Sequence, residues 1–285
     1  MTSTANHEQS EAWNGDSGRR WVASADERDR ILAPVADALF AAARLSTGLR
    51  VLDIGCGCGV TTLRAAALVG DTGSATGIDL SGPMLDLARQ RADLAGATNT
   101  AFIHGDGQTH AFDPASVDVI IGRFGTMFFS DPVAAFTNIG TALRPGGRLV
   151  LATWQPLGAN EWLIVPGAAL LKHTAMPPSA SDNGPGMFAQ SDPETVTTTL
   201  SAAGFADIEL EATTVTFTLG QTRDEAVAYL ADSGPGRLLL ESIPEGPARD
   251  TALADVSTAL IDHQRESGVQ LGGAIWLITA TRPAR

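Results

Sequence analysis

Apolar residues in the first half of the chain fall into short runs closed by glycine or polar stretches. Val51, Leu52 and Ile54 make one such run, which suits a buried strand ending in a tight turn. Thr61 to Val69 follows as a helix. Ser74 to Leu80, Thr100 to His104 and Ser116 to Ile121 read as three further strands. Leu143-Arg144-Pro145-Gly146-Gly147 is a helix stop and turn, and Arg148 to Trp154 a fifth strand. Upstream, Ile31 to Leu45 suggests a helix. Downstream, residues 155–190 are rich in Gly and Pro and poor in charge, which predicts irregular structure around a short apolar helix at Trp162 to Lys172. Ser191 or Asp192 before Pro193 opens a helix that runs to Ala203, and Gly204 closes it. Asp207 to Leu219 alternates as a strand, Ala274 to Thr281 is a last strand, and residues 221–271 between them look helical.

The chemistry concentrates where the first strand ends. Asp53, Gly55, Gly57 and Gly59 alternate through the run VLDIGCGCG, and glycine there leaves no Cβ to hold a ligand away from the backbone amides. The opening N–H groups of the following helix point into the same crevice, so strand, turn and helix make a nucleotide-type site at the carboxyl edge of a parallel sheet. Two ligand families use such a turn. The dinucleotide fingerprint GxGxxG, counted from Gly55, needs glycine or alanine at position 60, where Val60 stands. An NAD-type oxidoreductase is therefore the weaker reading.

The DxGxGxG of Asp53 to Gly59 resembles motif I of the class I S-adenosylmethionine-dependent methyltransferases, and later segments follow in that family's order. Asp79 ends the second strand, Asp106 lies in Gly105-Asp106-Gly107-Gln108 after the third, and Arg123-Phe124 follows the fourth. The chain is similar to the small-molecule branch that includes the ubiquinone and menaquinone C-methyltransferases, over about residues 10–282. The resemblance implies an α/β, Rossmann-like mixed sheet of seven strands in the order 3-2-1-4-5-7-6, the last antiparallel, with helices on both faces and a lid or roof.

It also implies roles. Asp53, Gly55, Gly57 and Gly59 would surround the methionine end of S-adenosylmethionine, Asp79 with Leu80 would hold the ribose, and Met84 would lie against the adenine ring. Asp106, Gly107 and Gln108 would hold the adenine edge, and Arg123 and Phe124 would line the sulfonium. Cys58 stands where threonine or serine is common in this turn. Residues 1–30 carry Trp13, Arg19, Arg20 and Trp21 in a polar background and would form a lid, with Trp21 reaching the cofactor; anchoring of the terminus is the alternative. Segments 155–190 and 221–271 would roof the acceptor pocket of one domain spanning 1–285.

Composition narrows the partners. With 285 residues, 44% of them hydrophobic, the chain can bury a full core. A net charge of -13 withholds the attraction on which most nucleic-acid and anionic-membrane binding depends. No apolar run approaches the roughly 18 residues of a membrane helix, and the start MTSTANHEQSEAWNGDSG lacks the parts of a signal peptide, so a cytoplasmic address is expected. Cys56 and Cys58 have no third cysteine or nearby histidine with which to form a metal site. They read as small fillers.

Methyl transfer from a sulfonium by in-line displacement needs alignment in a dry pocket, and the stretch after the fourth strand offers only Asp131 as an acid, so no metal is expected. Phe124, Met127, Trp154 and Trp162 are the candidate acceptor contacts. A general base is needed only if the acceptor arrives protonated. His173 is the favoured candidate among His7, His104, His110, His173 and Glu161. The acceptor atom stays open between O, N, S and C, as does a protein that binds the cofactor without catalysis.

Overall fold

The computed structural model describes residues 6–175 and 184–284. Among the described residues eight strands form one sheet: β1 (Arg50–Ile54), β2 (Ser74–Asp79), β3 (Thr100–His104), β4 (Val117–Arg123), β5 (Leu143–Trp154), β6 (Ala206–Gly220), β7 (Gln264–Arg265) and β8 (Gly268–Thr281). Their order is β3-β2-β1-β4-β5-β8-β6, with β7 paired to β8. β1 lies parallel to β2 and β4, as do β2 to β3 and β4 to β5. β8 runs the other way. Gly146 and Arg282 are bonded at one end of its pairing with β5, and Gln155 donates to Ala274 at the other.

With the two-residue β7 set aside, this is the order expected from the sequence. β7 escaped the pattern because its two exposed residues pair through backbone alone. The helical reading of residues 221–271 needs correction at its end: α10 (Arg223–Asp232), α11 (Gly234–Glu241) and α12 (Pro247–Ala259), numbered after the helices given below, give way to strand before Ala274. Gly272-Gly273 resembles a breaker, yet Gly273 is a strand glycine: a Cβ there would meet the Phe217 ring at 2.1 Å. β5 likewise begins at Leu143, ahead of the predicted turn, and Gly146 supplies the left-handed residue (φ 72°) that the bend requires.

Helices precede and separate the strands: α1 (His7–Asn14), α2 (Asp16–Ala23), α3 (Ala25–Ile31), α4 (Ala33–Ala43), α5 (Val60–Val69), α6 (Gly82–Ala95), α7 (Pro132–Ala142), α8 (Glu161–Leu170) and α9 (Pro193–Ala202). The helix expected over Ile31 to Leu45 is thus divided between α3 and α4, and the leading segment is itself helical. Among the described residues, side-chain caps set four starts: Ser81 accepts from Met84 N, Asp131 from Ala134 N, Asp192, rather than Ser191, from Thr195 N, and Thr222 from Glu225 N.

The chain divides into two compact units, one of residues 1–154, 185–212 and 276–285, the other of 155–184 and 213–275. The core of the first is aliphatic: Leu52, Ile54, Ile78, Ile120, Ile139, Leu149 and Leu151 are buried with Phe136. Within the second, Trp162 on α8 meets Phe217 edge-to-face at 5.8 Å, and Leu230, Leu239, Leu240 and Val256 from α10, α11 and α12 are buried.

Candidate functional site

Asp53, on β1, is only 1% exposed. Its Oδ2 accepts the hydroxyls of Thr61 and Thr62 at 2.7 Å each, whereas the buried Oδ1 has no partner among the described residues. Burial pushes this carboxyl above the ordinary carboxylate range, with the two threonine hydroxyls opposing. One buried acceptor is therefore left over, facing an environment that rewards a donor.

The turn after Asp53 is left-handed at each of its glycines, with φ of 67°, 55° and 82° at Gly55, Gly57 and Gly59. Close packing adds to the requirement. A Cβ on Gly55 would lie 2.5 Å from Gly125 Cα, so the turn presses directly on the loop that follows β4. Asp79, at the end of β2, ties this turn to the next loop: Oδ2 accepts Gly57 N and Oδ1 accepts Ser81 N, both at 2.8 Å. Burial raises its pKa against those two amides. Each oxygen still carries a lone pair for a further donor.

Leu80 contributes its carbonyl, which accepts Asn14 Nδ2 and His104 Nε2 at 2.9 Å each. Met84 is buried with Ala25 and Cys58, and Trp13, Trp21, Val22 and Leu87 pack against them. Trp21 also lies under the Arg28 guanidinium at 4.8 Å. On the far side, Asp106 accepts Asn6 Nδ2 on both oxygens, at 3.0 and 2.9 Å, and Gln108 N at 2.8 Å. Gln108 Oε1 accepts Asp131 N at 3.1 Å, and the Gly107 carbonyl accepts Asn138 Nδ2 at 3.0 Å.

Arg123 ends β4 and donates to Asp29 at 3.4 Å and to the Leu32 carbonyl at 3.5 Å. Burial lowers its pKa, with Asp29 opposing. Arg91 shares Asp29 at 2.9 Å, bonds Asp26, and reaches the Cys58 carbonyl at 3.1 Å, fastening α3 to the glycine turn. Phe124 holds a left-handed backbone (φ 65°) and stacks on Trp154 with centroids 4.2 Å apart and planes within 8°. Met127 is 2% exposed, and its carbonyl accepts Gly186 N. Both cysteines are buried thiols; burial pushes Cys56 well above the usual range and Cys58 up to about 12.

Trp21, Asp53, the three glycines, Asp79, Leu80, Met84, Asp106, Gly107, Gln108, Arg123, Phe124, Met127 and Trp154 all belong to the first unit. His173 and Trp162 belong to the second. There His173 Nε2 faces Asp255 Oδ2 at 3.0 Å, and Trp162 lines an apolar cavity with Leu163, Leu170, Leu230, Leu240 and Val256. Glu161 accepts Gly272 N, and His7 sits exposed beside Glu11. Sequence reading missed Thr61 and Thr62, although two hydroxyls at the mouth of a helix, eight and nine residues after a buried acid, carry a signal. It also missed Asn6, Asn14, Asp29 and Arg91, whose contacts lie far away along the chain and leave no local pattern. Among the described residues, no three His, Cys, Asp or Glu side chains converge as a metal site. No helix there is long and apolar enough to cross a membrane.

Residues 51–147, from β1 through the turn that opens β5, match the family described as methyltransferase domain. Over those residues the chain is similar to a methyltransferase domain. Aklanonic acid methyltransferase of Streptomyces sp. (strain C5) is 36% identical over 107 residues, covering 38% of this chain and 49% of that protein. Demethylmenaquinone methyltransferase of Staphylococcus aureus (strain MRSA252) is 36% identical over 110 residues, covering 38% and 45%. The chain spans about half the length of the curated relatives it matches. Phosphoethanolamine N-methyltransferase 2 of Haemonchus contortus, solved with phosphomonomethylethanolamine and S-adenosylhomocysteine, shares the fold at a TM-score of 0.52 and 20% identity, over 87% of this chain and 52% of that one. The matched methyltransferase domain contains Asp53, the glycine turn, Asp79, Asp106 and Arg123-Phe124, the residues through which the chain first resembled this family.

Proposed function

We propose that the protein is an S-adenosylmethionine-dependent methyltransferase acting on a small, apolar or aromatic acceptor without a metal. The observation that carries this reading is the leftover buried acceptor, Asp53 Oδ1, at the end of a glycine turn. A cationic amino group fits it: a charged donor there would satisfy the oxygen and compensate a carboxylate that burial disfavours. When bound, S-adenosylmethionine supplies a methyl group to in-line attack and leaves as S-adenosylhomocysteine.

The chain's own residues would do the rest. Asp79 would accept the ribose hydroxyls while holding Gly57 and Ser81 in place, and Asp106 with Gln108 would read the adenine edge. Met84 and Trp21 would cover the nucleoside from the apolar cluster they share. Phe124 stacked on Trp154, with Met127, would present an apolar wall to the reacting centre and exclude water. Trp162 would contact the acceptor, and His173, oriented by Asp255, would take its proton where one must leave. The net charge of -13 supports a small molecule over a nucleic acid, and a cytoplasmic setting suits such an enzyme.

The test is mass spectrometry of a metabolite extract incubated with the protein and isotopically labelled donor. A labelled methyl on one small molecule is the expected result. Calorimetry with S-adenosylhomocysteine and with NAD separates the rivals: heat with NAD alone reverts the site to a dehydrogenase, and binding of the donor without transfer to any acceptor reduces the protein to a cofactor-binding one.

A further inference from the structure

Asn6 lies near the beginning of the chain, yet it is only 4% exposed. Its carboxamide donates from Nδ2 to both Asp106 oxygens and accepts at Oδ1 from Ser130 N at 2.7 Å. A donor and an acceptor side by side on one planar edge are also what adenine presents through its 6-amino group and N1. Asp106 and Ser130 cannot give the same bonds to both.

The far end of the same helix is fastened to the neighbouring loop. Asn14 accepts Gly82 N and donates to the Leu80 carbonyl, each at 2.9 Å, while the Trp13 carbonyl accepts the Ser81 hydroxyl at 2.7 Å. α1 therefore bridges the two loops, after β2 and after β3, that would bracket a nucleoside. Its eight residues include none that is buried, so the hold consists of these polar bonds, the edge contacts of Trp13 with Trp21 and Phe128, and the packing of that half-buried ring on the Met84 cluster. A helix this short does not persist in water by itself. It can be released at modest cost.

We propose that Asn6 is an internal stand-in for the adenine edge, and that α1 is a latch which the adenosyl cofactor displaces on binding. This inference rests on the reading of the site as one for S-adenosylmethionine. The step is an exchange of hydrogen bonds: Asp106 and Ser130 release the Asn6 carboxamide and take up the purine edge. The latch makes cofactor affinity lower than the rest of the pocket would give, and it couples the order of the first helix to cofactor occupancy.

The experiment is calorimetric titration of S-adenosylhomocysteine into the full chain, into Asn6→Ala and into Asn14→Ala, with hydrogen exchange of residues 7–14 followed in the wild type. Both variants are expected to bind about two- to tenfold more tightly, the worth of one or two net hydrogen bonds. Exchange in α1 is expected to speed up when the ligand is added. Equal or weaker binding by Asn6→Ala, or slower exchange in α1 with ligand bound, overturns the latch while leaving the cofactor reading intact. Failure of wild type and both variants to take up the ligand overturns both.

Discussion

The two compact units handle polarity differently. In the first, Asp53, Asp79 and Arg123 are withdrawn from solvent and held by threonine hydroxyls, turn amides and Asp29, with one carboxylate oxygen left over. In the second, apolar side chains join α8 to α10, α11 and α12, and the ion pairs His173–Asp255, Arg237–Glu241 and Arg249–Glu245 each keep at least one partner half-exposed. A buried charge must be met by chosen partners in fixed geometry, whereas an apolar interior asks mainly for volume. The first unit is therefore constrained residue by residue, the second by bulk.

Four substitutions would break or sharpen that contrast. Trp162→Ala should lower stability by about 3–5 kcal/mol in urea denaturation, as an emptied aromatic site does, and leave S-adenosylhomocysteine affinity within about twofold. A matching loss of affinity would erase the distinction. Gly55→Ala should cost about 2–5 kcal/mol, combining a left-handed alanine with a collision against Gly125 backbone. Gly273→Ala, where a rotatable Phe217 ring is the obstacle, should cost less by the same denaturation measurement. Asp79→Ala should weaken S-adenosylhomocysteine binding by roughly 1–3 kcal/mol in calorimetry through unpaired donors; unchanged affinity would place the ribose elsewhere.

The smallest effect concerns Asp118 on β4. Burial alone would raise its pKa, but bonds from Arg50 N, Arg50 Nε and Arg144 Nε more than offset this and hold it at about 2. Its folded value lies below the unfolded value of about 3.9. The stabilisation is therefore complete above about pH 4 and is lost as pH falls toward 2. Asp118→Asn should be less stable than wild type by about 1 kcal/mol at pH 7, and the gap should close across that acid window in pH-dependent denaturation.

The same contrast explains what the sequence could disclose. Asp53, Gly55, Gly57, Gly59 and Asp79 form a readable pattern because a turn bonded through backbone fixes both the residue types and their spacing, whereas Asp106, in the loop after β3, entered through the resemblance. The strand order came through the resemblance these residues carry, while the exposed pair Gln264–Arg265 and the early starts of β5 and β8 escaped. Asn6 and Arg91 were unreadable, since their partners lie 100 and 62 residues away. Residues 221–271 yielded their helices but not their contacts, because Leu230, Leu240 and Val256 satisfy a packing demand that many aliphatic combinations would meet.

Phe124 sits in a backbone conformation that suits glycine, and its ring is clamped flat against Trp154. Selection for torsional comfort and selection for ring placement pull in opposite directions at this position. Mutational libraries should therefore find glycine there better folded than alanine, though still short of the buried ring's packing, and among the least active variants. An aromatic retained at position 124 against that drift would be a record of use.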